Sequence, residues 1–231
     1  MKIISTSSAL FILAGSALAA TFRQEQTRRA GNHRKIVDRF VGAASVGGAY
    51  ITGTGIGSVT GSFAVPTDST PNSYTTFLIA LDGETCSTAS LQVGVTLTKT
   101  GSSIAYDAWY EWYPGYSYDF SGISLSAGDI VVLRLTATSK TSGIAAIENV
   151  TTGTTLTHTF TNEASIGSLC EYDAEWIVDS SGDFGSVTFS DCSAGTLGTS
   201  GAKVIDSTDI SCSIPSSSEV KCTWGEGVIS L

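Results

Sequence analysis

Apolar and polar residues alternate along most of the chain, in short runs rich in Val, Ile, Thr and Phe that Gly, Ser, Asn, Asp and Pro interrupt. A period of two places successive side chains on opposite faces of a pleated strand. The pattern therefore predicts strands over 49–54, 58–65, 75–81, 90–98, 103–112, 130–138, 144–149, 154–160, 174–178 and 186–189. No amphipathic helix of useful length occurs, and Gly and Pro fall between the runs as turn markers. About 190 residues with a turn signal every eight to twelve positions suit a single all-β sandwich or barrel. Ser and Thr at alternate positions favour antiparallel sheets with one wet face. Residues 193–218 form a Ser/Gly/Thr-rich tail.

The first forty residues differ from the rest. An apolar run from Leu10 ends in Ser16-Ala17-Leu18-Ala19-Ala20, small residues of the kind a signal peptidase accepts, so residues 1–20 are expected to be a secretory signal peptide. Residues 21–40 carry Arg23, Arg28, Arg29, Arg34, Lys35 and Arg39, with two dibasic pairs, and are expected to be a short pro-segment. The domain proper then spans 41–231, and the protein is expected to be secreted, extracellular and monomeric. From Ile36 onward 6 basic residues stand against 20 acidic ones, a net charge of −14. So acidic a body is unsuited to nucleic acid or an anionic membrane. It is suited to staying folded in acid, and the basic pro-segment is a natural electrostatic plug for it.

Five cysteines in an exported chain point to disulfides rather than metal ligands. Cys212 and Cys222 can close a local loop and Cys86 with Cys170 can join distant segments, although spacing alone does not fix the connectivity. The odd count leaves one cysteine free or paired outside the chain. Asn149-Val150-Thr151 is a glycosylation sequon and predicts a surface loop. His33 falls in the pro-segment, which leaves His158 as the histidine of the domain. A Ser-His-Asp triad and a catalytic zinc site both need more than that, and neither a nucleophile elbow nor HExxH is present. Paired Asp-Thr/Ser-Gly turns of the pepsin type are absent too. Carboxylates, amides, tyrosines and tryptophans remain.

Three stretches concentrate those groups. In residues 174–178, Glu175 and Ile177 share one strand face and Ala174, Trp176 and Val178 the other, so a carboxylate sits mid-strand. Desolvation there raises a carboxyl's pKa or demands a hydrogen-bonding partner. In residues 81–95, a turn holding Asp82 leads to a strand whose Leu91, Val93 and Val95 face one way while Gln92 and Gly94 face the other. Gln92 thus offers an amide beside the open space of a glycine. Between Ala108 and Phe120 stand seven aromatics, with Trp109, Glu111 and Tyr113 on one face and Tyr110 and Trp112 on the opposite one.

These stretches together resemble the glutamic peptidases, the eqolisins. The Asp-Gly-x-x-Cys turn matches Asp82 to Cys86, the Leu-Gln-x-Gly strand matches Leu91 to Gly94, the Trp-Tyr-Glu-Trp-Tyr-Pro run matches Trp109 to Pro114, and the Ala-Glu-Trp-Ile-Val strand matches Ala174 to Val178. The resemblance runs in order from about Val41 to the end. It departs at Glu171-Tyr172-Asp173, where the family commonly has Gly-Gln or Gly-Asn, which adds Glu171 and Asp173 as acidic neighbours of Glu175. It implies a β-sandwich of two seven-stranded antiparallel sheets, concanavalin-like or jelly-roll in type. It also implies an acid endopeptidase acting on polypeptides without metal or organic cofactor. Glu175 would be general base and then general acid, and Gln92 would stabilise the oxyanion. Asp82, Trp109, Glu111 and Tyr113 match supporting positions near the substrate cleft. Two alternatives remain: a non-catalytic carbohydrate-binding sandwich using Trp109, Trp112 and the tyrosines as a stacking platform, and a glycosidase using Glu111 with Glu175.

Overall fold

A computed structural model describes residues 44–68, 70–86 and 88–225. The expected signal peptide and pro-segment, with 41–43 and 226–231 of the expected domain, lie outside the described residues. Fourteen strands follow in chain order: β1 (Ser45–Thr52), β2 (Ser58–Ala64), β3 (Ser73–Leu81), β4 (Ser90–Thr100), β5 (Ser103–Tyr113), β6 (Ser117–Asp119), β7 (Ile130–Ser139), β8 (Ser142–Asn149), β9 (Thr154–Phe160), β10 (Asp173–Ser180), β11 (Ser186–Ala194), β12 (Lys203–Ile205), β13 (Ile210–Ser216) and β14 (Glu219–Trp224). They form two antiparallel seven-stranded sheets, ordered β12-β1-β10-β3-β4-β5-β6 and β13-β14-β11-β2-β7-β8-β9. A 3-10 turn at Glu163–Ser165 accompanies them. The sandwich expected from the sequence is the observed architecture.

The alternation sorts side chains as expected. Leu91, Val93 and Val95 of β4 and Ala174, Trp176 and Val178 of β10 are fully buried in the core between the sheets. Trp176 spans that layer: its Nε1 donates to the carbonyl of Thr60 in β2 of the facing sheet at 2.8 Å. Gly61 makes room for it, since a Cβ there would lie 3.0 Å from Trp176 Cδ1. The strand bearing Glu175 is therefore clamped from behind by an indole that is both packed and hydrogen-bonded.

The Ser/Gly/Thr-rich tail 193–218 contains β12 and β13, and β14 follows it. Few of its residues carry an apolar signal, because β12 and β13 are sheet edges whose side chains mostly meet solvent. Pro215 lies within β13, where an edge strand with a register shift tolerates a missing N–H. The surface loop expected at the sequon is the exposed turn 150–153, but Asn149 itself is not on it. That residue is fully buried at the end of β8, and its Nδ2 donates to the Ser124 carbonyl at 3.0 Å and to Asp129 Oδ2 at 2.9 Å. A glycan has no access to that nitrogen in the fold.

Both anticipated disulfides are present, Cys86–Cys170 and Cys212–Cys222. The second joins directly paired residues of β13 and β14. Cys192 is the remaining thiol, free and buried, and burial pushes it up to about 12. A thiol so held is a packing residue rather than a nucleophile.

Candidate active site

Strand register assembles the site. Across the first sheet, Tyr50 of β1 pairs with Glu175 of β10, Glu175 with Ala80 of β3, Ala80 with Gln92 of β4, Gln92 with Glu111 of β5, and Glu111 with Ser117 of β6. Residues directly opposite share a face, so this row lies on the sheet's outer side, away from the core. Glu175 and Gln92 are two strand steps apart, about 10 Å between backbones. Between them stands only the methyl group of Ala80. A carboxyl and an amide thus flank one small, fully buried side chain.

The turn after β3 holds the carboxyl in place. The backbone N–H of Glu84 donates to Glu175 Oε1 at 2.7 Å. Gly83, at φ 149°, lies against the same oxygen, and a Cβ there would come within 2.7 Å of it. A glycine is required on both counts. Asp82 itself is fully buried at φ 60°. Its Oδ2 accepts from the N–H groups of Cys170 and Glu171, both at 2.8 Å, and its Oδ1 from those of Tyr172 at 2.8 Å and Asp173 at 3.3 Å. One carboxylate thus gathers the four amides of the segment that enters β10, and the Cys86–Cys170 bond ties the same two loops.

Glu175 is 8 % exposed. Burial, then the neighbouring Asp173 carboxyl, pushes its pKa from 4.5 up to about 8, against the opposing pull of the Glu84 amide. Of the two acidic neighbours noted in the sequence, Asp173 acts on Glu175 and Glu171 is not among the groups that do. Folding therefore raises the proton affinity of this carboxyl. Its contribution to stability is complete below about pH 4.5, where folded and unfolded chains are both protonated, and is lost as pH rises through about 8. Asp107 and Asp179, both raised by burial, act with the same sign. Thermal unfolding followed by circular dichroism should accordingly show a Tm that falls over this window, and Glu175→Gln should flatten the fall. A Tm that rises with pH there would contradict the assignment.

The remaining candidates divide. Gln92 is half-buried, and its Nε2 donates to Ser90 Oγ at 3.2 Å. Glu111 is half-buried in the same row, and Tyr113, 48 % exposed, stands at the rim opposite Ser90. Trp109 is 4 % exposed, with Nε1 donating to Thr96 Oγ1 at 3.0 Å. Its indole covers Gly94, whose added Cβ would meet Trp109 Cζ2 at 2.8 Å, so the open space expected beside Gln92 at Gly94 is filled. Glycine there lets an indole lie flat on the backbone. On the opposite face of β5, Tyr110 and Trp112 line an aromatic cleft with Tyr118, Phe160 and His158. His158 stacks on Tyr110 at 4.0 Å between ring centroids, and burial lowers its pKa. The histidine is thus a packing group remote from the carboxyl row.

Neither alternative fits this arrangement. Trp109 and Trp112, 4 % and 1 % exposed, cannot stack on a sugar. Glu111 and Glu175 are three strand steps apart, about 14 Å between backbones, with Ala80 and Gln92 rather than open sheet between them. Among the described residues no group of three or more His, Cys, Asp or Glu side chains is placed to hold a metal.

Sequence reasoning named Glu175, Gln92 and Asp82 but not the groups that position them. Ala80, Gly83 and the Glu84 amide emerge only from register and turn geometry. The one signal on offer was the Asp-Gly turn itself, read as a match to a family motif rather than as a cradle.

Comparison with known proteins gives a consistent result. The model of the peptidase A4 family matches residues 44–224. Aspergillopepsin-2 of Aspergillus niger is 42 % identical over 193 residues, 69 % of this chain and 68 % of that protein. Scytalidopepsin B of Scytalidium lignicola is 46 % identical over 134 residues, 58 % of this chain and 50 % of that protein, so the match covers half of that relative's length. Among solved structures, scytalido-glutamic peptidase with a transition state analog inhibitor superposes with a TM-score of 0.71 at 34 % identity, over 79 % of this chain and 98 % of that one. Aspergilloglutamic peptidase from Aspergillus niger gives 0.60 at 42 % identity, over 66 % and 99 %.

Proposed function

Because this chain belongs to the peptidase A4 family, the glutamic peptidases, we propose that it is a secreted, monomeric endopeptidase that hydrolyses polypeptides in acid with Glu175 and Gln92 as its catalytic pair. The observation that carries this reading is the row Glu175–Ala80–Gln92, in which a buried carboxyl and a half-buried amide flank one small side chain on the outer face of one sheet. A peptide laid across that face brings its scissile carbonyl over Ala80, with a water between the two polar groups. Glu175 takes a proton from the water as its oxygen bonds to the carbonyl carbon. The Gln92 amide donates to the oxygen on which negative charge develops, and Glu175 then passes the proton to the leaving nitrogen as the C–N bond breaks. No metal or organic cofactor enters any step.

Asp82 acts at one remove, by fixing the segment that delivers β10, and Gly83 with the Glu84 amide fixes the carboxyl. Glu111 and Tyr113 form the wall beside Gln92 along which substrate side chains would lie, and Trp109, buried over Gly94, supports that wall from within. Two disulfides and the N-terminal leader support export. The basic stretch 21–40 is suited to cover the acidic body until it is removed.

Gln92→Ala is expected to lower kcat/KM on a denatured protein substrate in acid by about 10²–10³, the usual cost of one oxyanion donor. Unfolding should hardly change, because the amide is only half-buried. Wild-type kcat/KM in that variant would refute the role given to Gln92.

A further inference from the structure

A second carboxyl stands beside Glu175 with no part in the steps above. Asp173 lies two residues earlier on the same face of β10 and is fully buried. Its Oδ2 accepts from the backbone N–H of Thr85 at 2.9 Å and from the Thr85 hydroxyl. Its Oδ1 is buried with no hydrogen-bond partner. Asp173 and Glu175 are both buried neighbours on one face of β10, and the Asp173 carboxyl is among the groups that raise the pKa of Glu175. Two carboxylates have only acceptors to offer each other, so they bond when a proton lies between them, and that proton would also satisfy the orphaned oxygen.

Among the described residues no cation pairs with Glu175 or Asp173 to hold both ionised. Glu84 faces Glu175 from the turn after β3, bringing its amide but also a like charge. Tyr50 faces it from β1, and Ala80 separates it from Gln92 on β4 and Glu111 on β5. Lys203 of β12 sits over the Tyr50 ring, 5.6 Å from its centroid, one strand further out.

We propose that Asp173 is the proton-sharing partner of Glu175: the two carboxyls hold one proton, which rests on Glu175 and passes to Asp173 Oδ1 as Glu175 is called on to act as base. This rests on the hydrolytic role proposed for Glu175, and it removes a difficulty in that role. A carboxyl raised to about 8 carries its proton in acid and cannot accept another. With Asp173 beside it, the O–H bond of Glu175 breaks as one forms on Asp173 Oδ1. Glu175 then receives the proton of the attacking water and delivers it to the leaving nitrogen. The stored proton returns from Asp173 to Glu175 as the site resets. Protons balance over the cycle, and no other donor or acceptor is needed.

Asp173→Asn tests this while preserving the fold, since the Asn carbonyl still accepts from Thr85 and the Asn amide can donate to Glu175. Infrared difference spectra of wild type against Glu175→Gln at about pH 6 should show the band of a hydrogen-bonded protonated carboxyl, with Asp107 and Asp179 cancelling because both proteins contain them. The same difference taken with Asp173→Asn should lack that band. The acid limb of kcat/KM in Asp173→Asn should move to higher pH by about one unit or more, because Glu175 must then release its proton to solvent. A band that persists in Asp173→Asn overturns the proposal. So does a wild-type spectrum without the band, or with it at the frequency of a carboxyl that donates no hydrogen bond, and this holds even if the variant does not fold. An inactive Glu175→Gln with the band retained in Asp173→Asn removes only the role of Asp173. An active Glu175→Gln removes the base itself.

Discussion

Glu175→Gln is expected to lower kcat/KM for peptide hydrolysis by about 10³ or more, with the fold retained. Glutamine keeps the size of the side chain, and its carbonyl can still accept from the Glu84 N–H at the position Oε1 now occupies. What it cannot do is take a proton from water or give one to an amine, and positioned acid–base catalysis accounts for about 10²–10⁴ in rate. Here both proton transfers pass through one group, which places the loss toward the upper end. Near-ultraviolet circular dichroism would confirm intact packing, and a discontinuous assay on an unfolded protein would report the rate. A Glu175→Gln protein that still hydrolyses at a tenth or more of the wild-type rate would show that some other group activates the water.

The largest effect on stability is expected at Asp82. Asp82→Ala leaves the N–H groups of Cys170, Glu171, Tyr172 and Asp173 without their acceptor, that of Asp173 buried and the other three partly buried. An orphaned buried donor costs about 1–3 kcal/mol and one that water can reach costs less, so a total of about 3 kcal/mol follows. The segment would relax toward water, held then by the Cys86–Cys170 bond, and Asp173 and Glu175 would lose their registration against the turn. Activity should therefore fall with stability. Asp82→Asn should be intermediate, because one carboxylate oxygen survives as acceptor while the other becomes an N–H₂ facing two donors. Urea unfolding supplies the measurement. A change within about 1 kcal/mol for Asp82→Ala would mean that the loop finds other acceptors and that the four bonds are not what holds it.

How far the fold is legible depends on burial. Where one face of a strand is packed, as in Leu91–Val93–Val95 or Ala174–Trp176–Val178, a period of two stands out and the strand is read correctly. Where a strand is short or at an edge, the pattern weakens: Lys203–Ile205 has only three residues, none fully buried, and in Ile210–Ser216 only Ile210 of the Ile210/Cys212/Ile214 face is fully buried. The site follows the same logic. Glu175 is visible because a carboxylate interrupts a hydrophobic strand, and Gln92 because a motif flags it. The distance between them is not visible, since it depends on which strand lies between β10 and β4, and sheet order is a long-range property. Register also decides that the residue separating them is Ala80 rather than a bulky neighbour such as Ile79. Gly94 was misjudged for a related reason: the space beside a glycine can be filled from the next strand, here by Trp109. Asn149 shows the reverse, a sequon whose side chain is consumed by Ser124 and Asp129 inside the fold.

The central claim is that Glu175 and Gln92 act as one unit on one water across Ala80. A double-mutant comparison tests it most directly, with kcat/KM measured in acid on a single peptide for wild type, Gln92→Ala, Glu175→Gln and the double variant. Groups that act as a unit give losses that do not multiply. The double variant should therefore be scarcely slower than Glu175→Gln alone. Losses that multiply in full, or a Glu175→Gln enzyme with near-wild-type kcat/KM, would contradict the account.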